Sequence, residues 1–175
     1  YNDTAVPVNA GSYTVTVSIS NSNYTLTGNT TADFLITTKA VTVSGITANG
    51  KVYDGNIDAV LDYSKVVLDG ILENDTLTVT ATGTMESADV GEKKVTISNL
   101  TLGGASAANY VLAESGNQTE TTATITAKEV TVTITSKGGT YGSVVAAAAK
   151  LFGAVEGENV PVTLTYTGNG YNDTA

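Results

Sequence analysis

Two-residue alternation dominates the chain. Tyr13, Val15, Val17 and Ile19 fall on one side of an extended segment, with Thr14, Thr16 and Ser18 on the other. Val41 and Val43 behave alike, as do Leu77 and Val79, Val95 and Ile97, and Ala123 and Ile125. Val130, Val132 and Ile134 make a further run, and Val162, Leu164 and Tyr166 another. Such alternation predicts strands with one buried face. Asn49-Gly50, Asp54-Gly55, Asp69-Gly70, Gly103-Gly104, Gly138-Gly139 and Gly168-Asn169-Gly170 punctuate the runs where the chain must turn. Ile57, Ala59, Leu61 and Tyr63 also alternate, and Ile57–Leu68 reads as strand. Ser143–Phe152 pulls both ways: four consecutive alanines, a Ser at the start and Gly153 beyond favour a helix. Its alignment with 57–68 favours a strand, and strand is the prediction. Many short strands at this spacing predict an all-β fold of Ig-like β-sandwich modules.

The chain repeats itself on two scales. Tyr1-Asn2-Asp3-Thr4-Ala5 returns as Tyr171-Asn172-Asp173-Thr174-Ala175, an offset of 170 residues. A tandem array of about that period is expected, with this chain an excerpt of it. Inside that period lies a shorter one. Lys39-Ala40-Val41-Thr42-Val43 aligns with Lys128-Glu129-Val130-Thr131-Val132, and Asn23-Tyr24-Thr25-Leu26 with Asn109-Tyr110-Val111-Leu112. Gly11 through Ser18 aligns with Gly91 through Ser98, and Leu68-Asp69-Gly70 with Leu151-Phe152-Gly153. The matches keep their order, so two related modules of roughly 85–90 residues alternate.

Composition narrows the chemistry. Only 14% of the 175 residues are charged, the net charge is −9, and there is no His, Cys, Trp or Arg. Zinc and haem sites lack their usual ligands. Ser-His-Asp and Cys-His nucleophilic systems are excluded. An acidic chain without Arg is a poor match for phosphates, which argues against nucleic acid as a partner. No apolar run is long enough to cross a membrane as a helix.

The order Lys51-Val52-Tyr53-Asp54-Gly55, Leu68-Asp69-Gly70 with Asn74-Asp75, Val90-Gly91, Ala108-Asn109-Tyr110-Val111-Leu112 and Ala123-Thr124-Ile125-Thr126 resembles the YDG domain of bacterial surface adhesins. The resemblance covers about residues 40–127. What remains resembles the related MBG domain in two pieces. One piece holds Tyr141-Gly142 through Tyr166; the other holds Ala10 through Tyr13, Asn23 through Leu26 and Phe34-Leu35-Ile36. The resemblance implies an extracellular, cell-surface repeat of an adhesin or fibre with no enzymatic activity and no cofactor.

The expected frame is therefore 1–38 as the closing half of an MBG-like module, 39–127 as a complete YDG-like module and 128–175 as the opening half of the next. The alternative frame divides the chain into 1–86 and 87–175. In the first frame each half exposes an apolar face and an unpaired edge. Neighbouring copies then become the expected partners, completing one another head to tail by strand complementation. A structural stalk or fibre is the leading expectation; a module that itself binds a host glycan or protein is the alternative.

Candidate residues carry structural roles in this reading. Tyr53-Asp54-Gly55 predicts a ring at the rim of the sandwich, a carboxylate on nearby N–H groups and a glycine at positive φ. Tyr141-Gly142 keeps the ring without the carboxylate. Lys93 shares parity with Val95 and Ile97, an inward position that favours snorkelling and makes it the candidate lysine for a Lys–Asn isopeptide crosslink. Asp54/Asp58/Asp62 and Glu73/Asp75 lack the spacing of a Ca²⁺ loop. Asn-x-Thr occurs at Asn2, Asn23, Asn29, Asn74, Asn99, Asn117 and Asn172, as expected of a chain rich in both residues. No catalytic, metal-binding or cofactor-binding residue is assigned.

Overall fold

A computed structural model of the chain describes residues 6–143 and 147–167. The strands in order are β1 (Gly11–Thr16), β2 (Thr31–Ile36), β3 (Lys39–Ser44), β4 (Thr47–Ala48), β5 (Lys51–Val52), β6 (Asp58–Ala59) and β7 (Leu61–Asp62). They continue as β8 (Val67–Asp69), β9 (Thr78–Met85), β10 (Gly91–Gly103), β11 (Tyr110–Leu112), β12 (Glu120–Thr126), β13 (Thr131–Thr135) and β14 (Ala148–Phe152). One 3-10 turn, Ala107–Asn109, precedes β11, and no α-helix occurs among the described residues. The chain is nearly all-β, as the alternation predicts.

The buried core lies between β3 and β12. A five-stranded sheet in the order β5-β12-β10-β9-β6 and a three-stranded sheet in the order β11-β3-β8 supply it. Val43 of β3 and the following Ile46 meet Val79 of β9 and Ile97 of β10, with Tyr63, Leu68, Leu102 and Leu112 packed around them. A second cluster joins Met85, Val95, Ala123 and Ile125, with Tyr53, Ala48 and Ala59 against it. Leu61 packs on both clusters. The β-branched residues occupy alternate inward positions, where their stiff side chains suit a pleated surface.

β10 would lose this alignment over its 13 residues without a correction. Its register with β9 shifts between Ser98 and Thr101, and Asn99 there has φ 52°. The bulge re-aims the strand, so Leu100 and Leu102 join Ile97 in the same cluster although their parity is opposite. Two side chains after β11 stitch the segment 113–119 to the end of β3. Asn117 accepts from the Val43 N–H at 3.0 Å and donates to the Ala113 carbonyl at 2.6 Å. Gln118 accepts from the Ile46 N–H at 2.8 Å and donates to the Ile46 carbonyl at 2.7 Å. Backbone groups beside the most buried residues are thereby satisfied. Asn117 is thus a structural clamp, although it sits in an Asn-x-Thr triplet.

The flanking ladders copy pairs from the centre. β1 pairs antiparallel with β2, Gly11 opposite Ile36 and Tyr13 opposite Phe34, as Gly91 lies opposite Ile125 and Lys93 opposite Ala123 in β10–β12. β13 pairs with β14, Thr131 opposite Phe152 and Val132 opposite Leu151, as Thr42 lies opposite Asp69 and Val43 opposite Leu68 in β3–β8. Burial does not follow. Val95 is 0% exposed and its counterpart Val15 is 51% exposed; Val43 is 0% and Val132 is 51%.

Three predicted strands differ for one reason: a strand needs a partner. β1 ends at Thr16, so Val17 and Ile19 lie beyond it and are exposed. Val162, Leu164 and Tyr166 form no strand. Their counterpart β9 leans on β10, whereas β1 pairs only with β2. Ile57–Leu68 breaks into β6, β7 and the start of β8, which pair with β9, β4 and β3 in turn. Ser143–Phe152 holds β14 from Ala148 onward; its residues 144–146, and the terminal Tyr-Asn-Asp-Thr-Ala repeats, lie outside the described residues.

Ile125→Ala should cost about 2–5 kcal/mol in urea unfolding at low protein concentration, because it empties a filled core. Ile134→Ala on exposed β13 should change stability by less than about 0.5 kcal/mol in the same measurement.

Candidate functional site

Of the residues singled out from sequence, Tyr53, Asp54 and Gly55 sit at a joint. β5 runs parallel to the end of β12, and the Tyr53 N–H donates to the Thr126 carbonyl at 2.8 Å. That pairing lays the half-buried Tyr53 ring on Met85, Val95, Ala123 and Ile125. The chain then turns around the Lys51 ammonium. Lys51 Nζ lies 2.8 Å from Asp54 Oδ1 and donates to the Asn56 carbonyl at 2.8 Å and its Oδ1 at 2.6 Å. Asp54 also accepts from the Asn56 N–H at 3.1 Å. Gly55 has φ 79°, the left-handed conformation that glycine adopts without strain.

This loop faces the turn that follows β14. The Tyr53 hydroxyl donates to Glu158 Oε1. A Cβ on Gly55 would come within 3.2 Å of Val155 Cγ1. The turn is closed by the Glu158 N–H donating to the Val155 carbonyl at 3.2 Å. Tyr53-Asp54-Gly55 therefore holds a flanking segment as well as shaping its own loop.

A second joint lies by the 3-10 turn. Asn109 accepts from the Ala10 N–H at 2.8 Å and donates to Asn9 Oδ1 at 3.0 Å. Next to it Tyr110 is buried, its hydroxyl donating to Asp75 Oδ2 and accepting from the Leu72 N–H at 3.0 Å. Ser106 Oγ donates to the other Asp75 oxygen at 2.9 Å. A cleft of about 340 Å³, lined by Val8, Ile36, Leu72, Asp75 and Tyr110 among others, separates the β1–β2 hairpin from the centre. Asn109-Tyr110 is visible in the sequence as a repeated motif. The partnership of Glu158 with Tyr53 is not, because 105 residues separate them.

The titratable groups register these contacts. Tyr53 is raised above the usual 10.0, first by its hydrogen bond to the Glu158 carboxylate, then by partial desolvation and the charges of Glu158, Asp89 and Asp54. Tyr110 is raised too, by burial first and then by Asp75. Lys51 and the Asn56 N–H hold Asp54 below the usual carboxylate value; the Ser64 N–H and hydroxyl do the same for Asp62.

Tyr141 and Gly142 only half resemble Tyr53 and Gly55. Gly142 has φ 87°, but the Tyr141 ring is fully exposed. Lys93 is half-buried opposite Ala123, and its side chain forms no ion pair or hydrogen bond among the described residues. The neighbouring Lys94 pairs with Glu120 at 2.5 Å on the outer face. Asp54, Asp62 and Asp75 are engaged by separate partners, and among the described residues no three acidic groups converge where a cation would sit.

Residues 37–120 match the YDG domain family. The centre of the chain is a YDG-type domain. No curated protein and no solved structure matches the chain. Within the YDG domain lie both clusters' Val43, Val79, Met85 and Val95, the Tyr53-Asp54-Gly55 loop and the Asp75–Tyr110 pair; Ala123 and Ile125 of β12 fall just past the match.

Tyrosinate absorbance should show two residues ionising above the usual 10.0, one lost in Tyr53→Phe and the other in Tyr110→Phe. A raised pKa in the folded state gives stability that is present below the unfolded value and lost as pH climbs through the folded one. Urea midpoints of the parent chain should therefore fall in alkali, and fall less steeply in Tyr110→Phe. Asp54 and Asp62 act in the opposite sense. Their lowered values give stability that is present above the unfolded pKa and lost as pH falls through the folded one. Asp54→Asn should flatten the acid limb of the same curve.

Proposed function

We propose that the chain is a structural repeat of a bacterial extracellular adhesin or surface filament, built of Ig-like β-sandwich modules that join head to tail. The observation that carries this reading is the way the YDG domain is anchored at its entry and exit. Its first strand, β3, pairs in parallel with β11, and its last, β12, pairs in parallel with β5. Tension along the chain pulls each terminal strand lengthwise past a parallel neighbour. The ladder bonds are then loaded together, whereas an antiparallel hairpin pulled at its two ends opens one bond at a time.

Other features agree with a load-carrying role. Side-chain contacts fasten both flanks to the YDG domain, Asn109 to Asn9 and Ala10, and Tyr53 to Glu158. The net charge of −9 without arginine keeps repeats soluble and mutually repelling. The resemblance to surface-adhesin repeats points to the cell exterior.

Stretching one molecule should give a distinct unfolding event for residues 39–126 that releases about 300 Å of contour length. Antibody raised against the chain should label intact cells of the source bacterium. Specific capture of a glycan by the isolated chain would instead rank it as an adhesive module.

A further inference from the structure

The two flanks align with different parts of the YDG domain, which therefore offers a template for how such parts fit together. In it, β10 joins two buried clusters, its Ile97 meeting Val43 and Leu68 of the β3–β8 pair in one and its Val95 meeting Ala123 and Ile125 of β12 in the other, with Leu61 packed on both. The β1–β2 pair has the register of β10–β12 and β13–β14 that of β3–β8. Both lie with their apolar sides open. Two exposed tyrosines sharpen the comparison.

Tyr24 is 70% exposed, and its counterpart Tyr110 is 6% exposed. Tyr110 is held by the turn Leu72–Asp75, where Asn74 has φ 72° and the Asp75 N–H donates to the Leu72 carbonyl at 3.2 Å. Extending the alignment of Leu68-Asp69-Gly70 with Leu151-Phe152-Gly153 places Val155, Gly157 and Glu158 at Leu72, Asn74 and Asp75. The turn is rebuilt there: Gly157 has φ 82°, and the Glu158 N–H donates to the Val155 carbonyl at 3.2 Å. It also carries a carboxylate at the position that binds the tyrosine hydroxyl. Tyr53 uses Oε1 of Glu158, and a carboxylate has a second oxygen to offer. Ser20 stands where Ser106 supports Asp75.

The other tyrosine is Tyr141, the counterpart of Tyr53. Tyr53 packs on Val95, Ala123 and Ile125. Their counterparts Val15, Phe34 and Ile36 lie on the hairpin. There Phe34 stacks on Tyr13 at 5.5 Å, beside an open groove of about 500 Å³ lined by Val6, Pro7, Tyr13, Val15 and Phe34.

We infer that the β1–β2 hairpin with Tyr24 docks onto residues 128–130, the β13–β14 pair and the Val155–Glu158 turn of a second copy of this repeat, completing a module between copies. Tyr24 enters the Val155–Glu158 turn, and Tyr141 of the second copy fills the groove beside Phe34. Residues 24–26 add in parallel to 128–130, as β11 adds to β3. Each copy offers one surface of each kind, so the contact is heterologous and propagates into a filament. This inference rests on the structural-repeat reading and gives its partner and register.

The cysteine-free 175-residue chain suits disulfide trapping. Val111 lies opposite Ala40 in the YDG domain, which places Thr25 opposite Glu129 across the joint. Mixed under mild oxidation, Thr25→Cys and Glu129→Cys chains should form the unlike pair in preference to either like pair. The double variant should give a ladder of linked chains. Sedimentation should show self-association of the parent chain that rises with concentration and with salt, which screens the like charges. Tyr24→Ser and Tyr141→Ser alter exposed rings and should each weaken association at least about tenfold, with the urea midpoint of the YDG domain unchanged. Statistical pairing of the cysteines, or a monomer at every concentration, would overturn the inference. So would a double variant that closes on itself as a monomer. Each removes joining between copies but leaves the load-carrying surface repeat standing, since surface location and the stretching signature are measured separately.

Discussion

Everything in this chain depends on whether an amphipathic strand finds a second sheet to cover its inner face. Where β3 meets β9 and β10, valine and isoleucine side chains leave water almost completely. Burial of that kind stabilises by about 1.5–3 kcal/mol per side chain. Where β1–β2 and β13–β14 lack an opposing sheet among the described residues, equivalent residues stay in solvent and contribute little. The ladders still form, because main-chain pairing needs only an adjacent strand. Hydrogen bonding and burial are thus separable here, within one polypeptide and between aligned positions.

Leu61 illustrates how tightly the centre is drawn together. It sits on the short β7, pairs across to β4 and packs on both buried clusters at once. Gly83 of β9 faces it, with room for no side chain: a Cβ there would come within 2.7 Å of Leu61 Cδ2. The fragmented stretch from Asp58 to Asp69 is therefore no loose loop. Its three strands reach three different partners, so it ties the two sheets of the YDG domain to each other.

The joints explain why a short polar motif recurs along an otherwise apolar pattern. Tyr53 presents its ring to the core and its hydroxyl to a neighbouring segment, a division of labour that suits tyrosine at a boundary. Tyr110 does the same with Asp75. In both pairs a phenol meets a carboxylate; Tyr53 is raised chiefly by that hydrogen bond, Tyr110 chiefly by its burial and then by Asp75. Asn109 lies in a repeated Asn-Tyr motif, but its partners Asn9 and Ala10, like the Glu158 partner of Tyr53, carry no local signature. Their role exists only because residues far apart in sequence are brought to one place.

Much was written in the sequence. Alternation located β3, β9, β10, β12 and β13, the alignment with 57–68 pointed to β14, and the positive φ of Gly55 and the Asp54–Asn56 contact followed from local turn chemistry. The internal repeat aligned the segments whose ladders the structure shows to share a register. What alternation could not decide was burial, because the same Val-Thr-Val pattern serves a core strand at Val41–Val43 and an uncovered one at Val130–Val132. Nor could it place the bulge at Asn99, the division of 57–68 among three partners, or the end of β1 at Thr16. Local pattern sets which face of a strand is apolar; only the tertiary arrangement decides whether another sheet is there to meet it, since that contact joins residues the chain itself does not bring near.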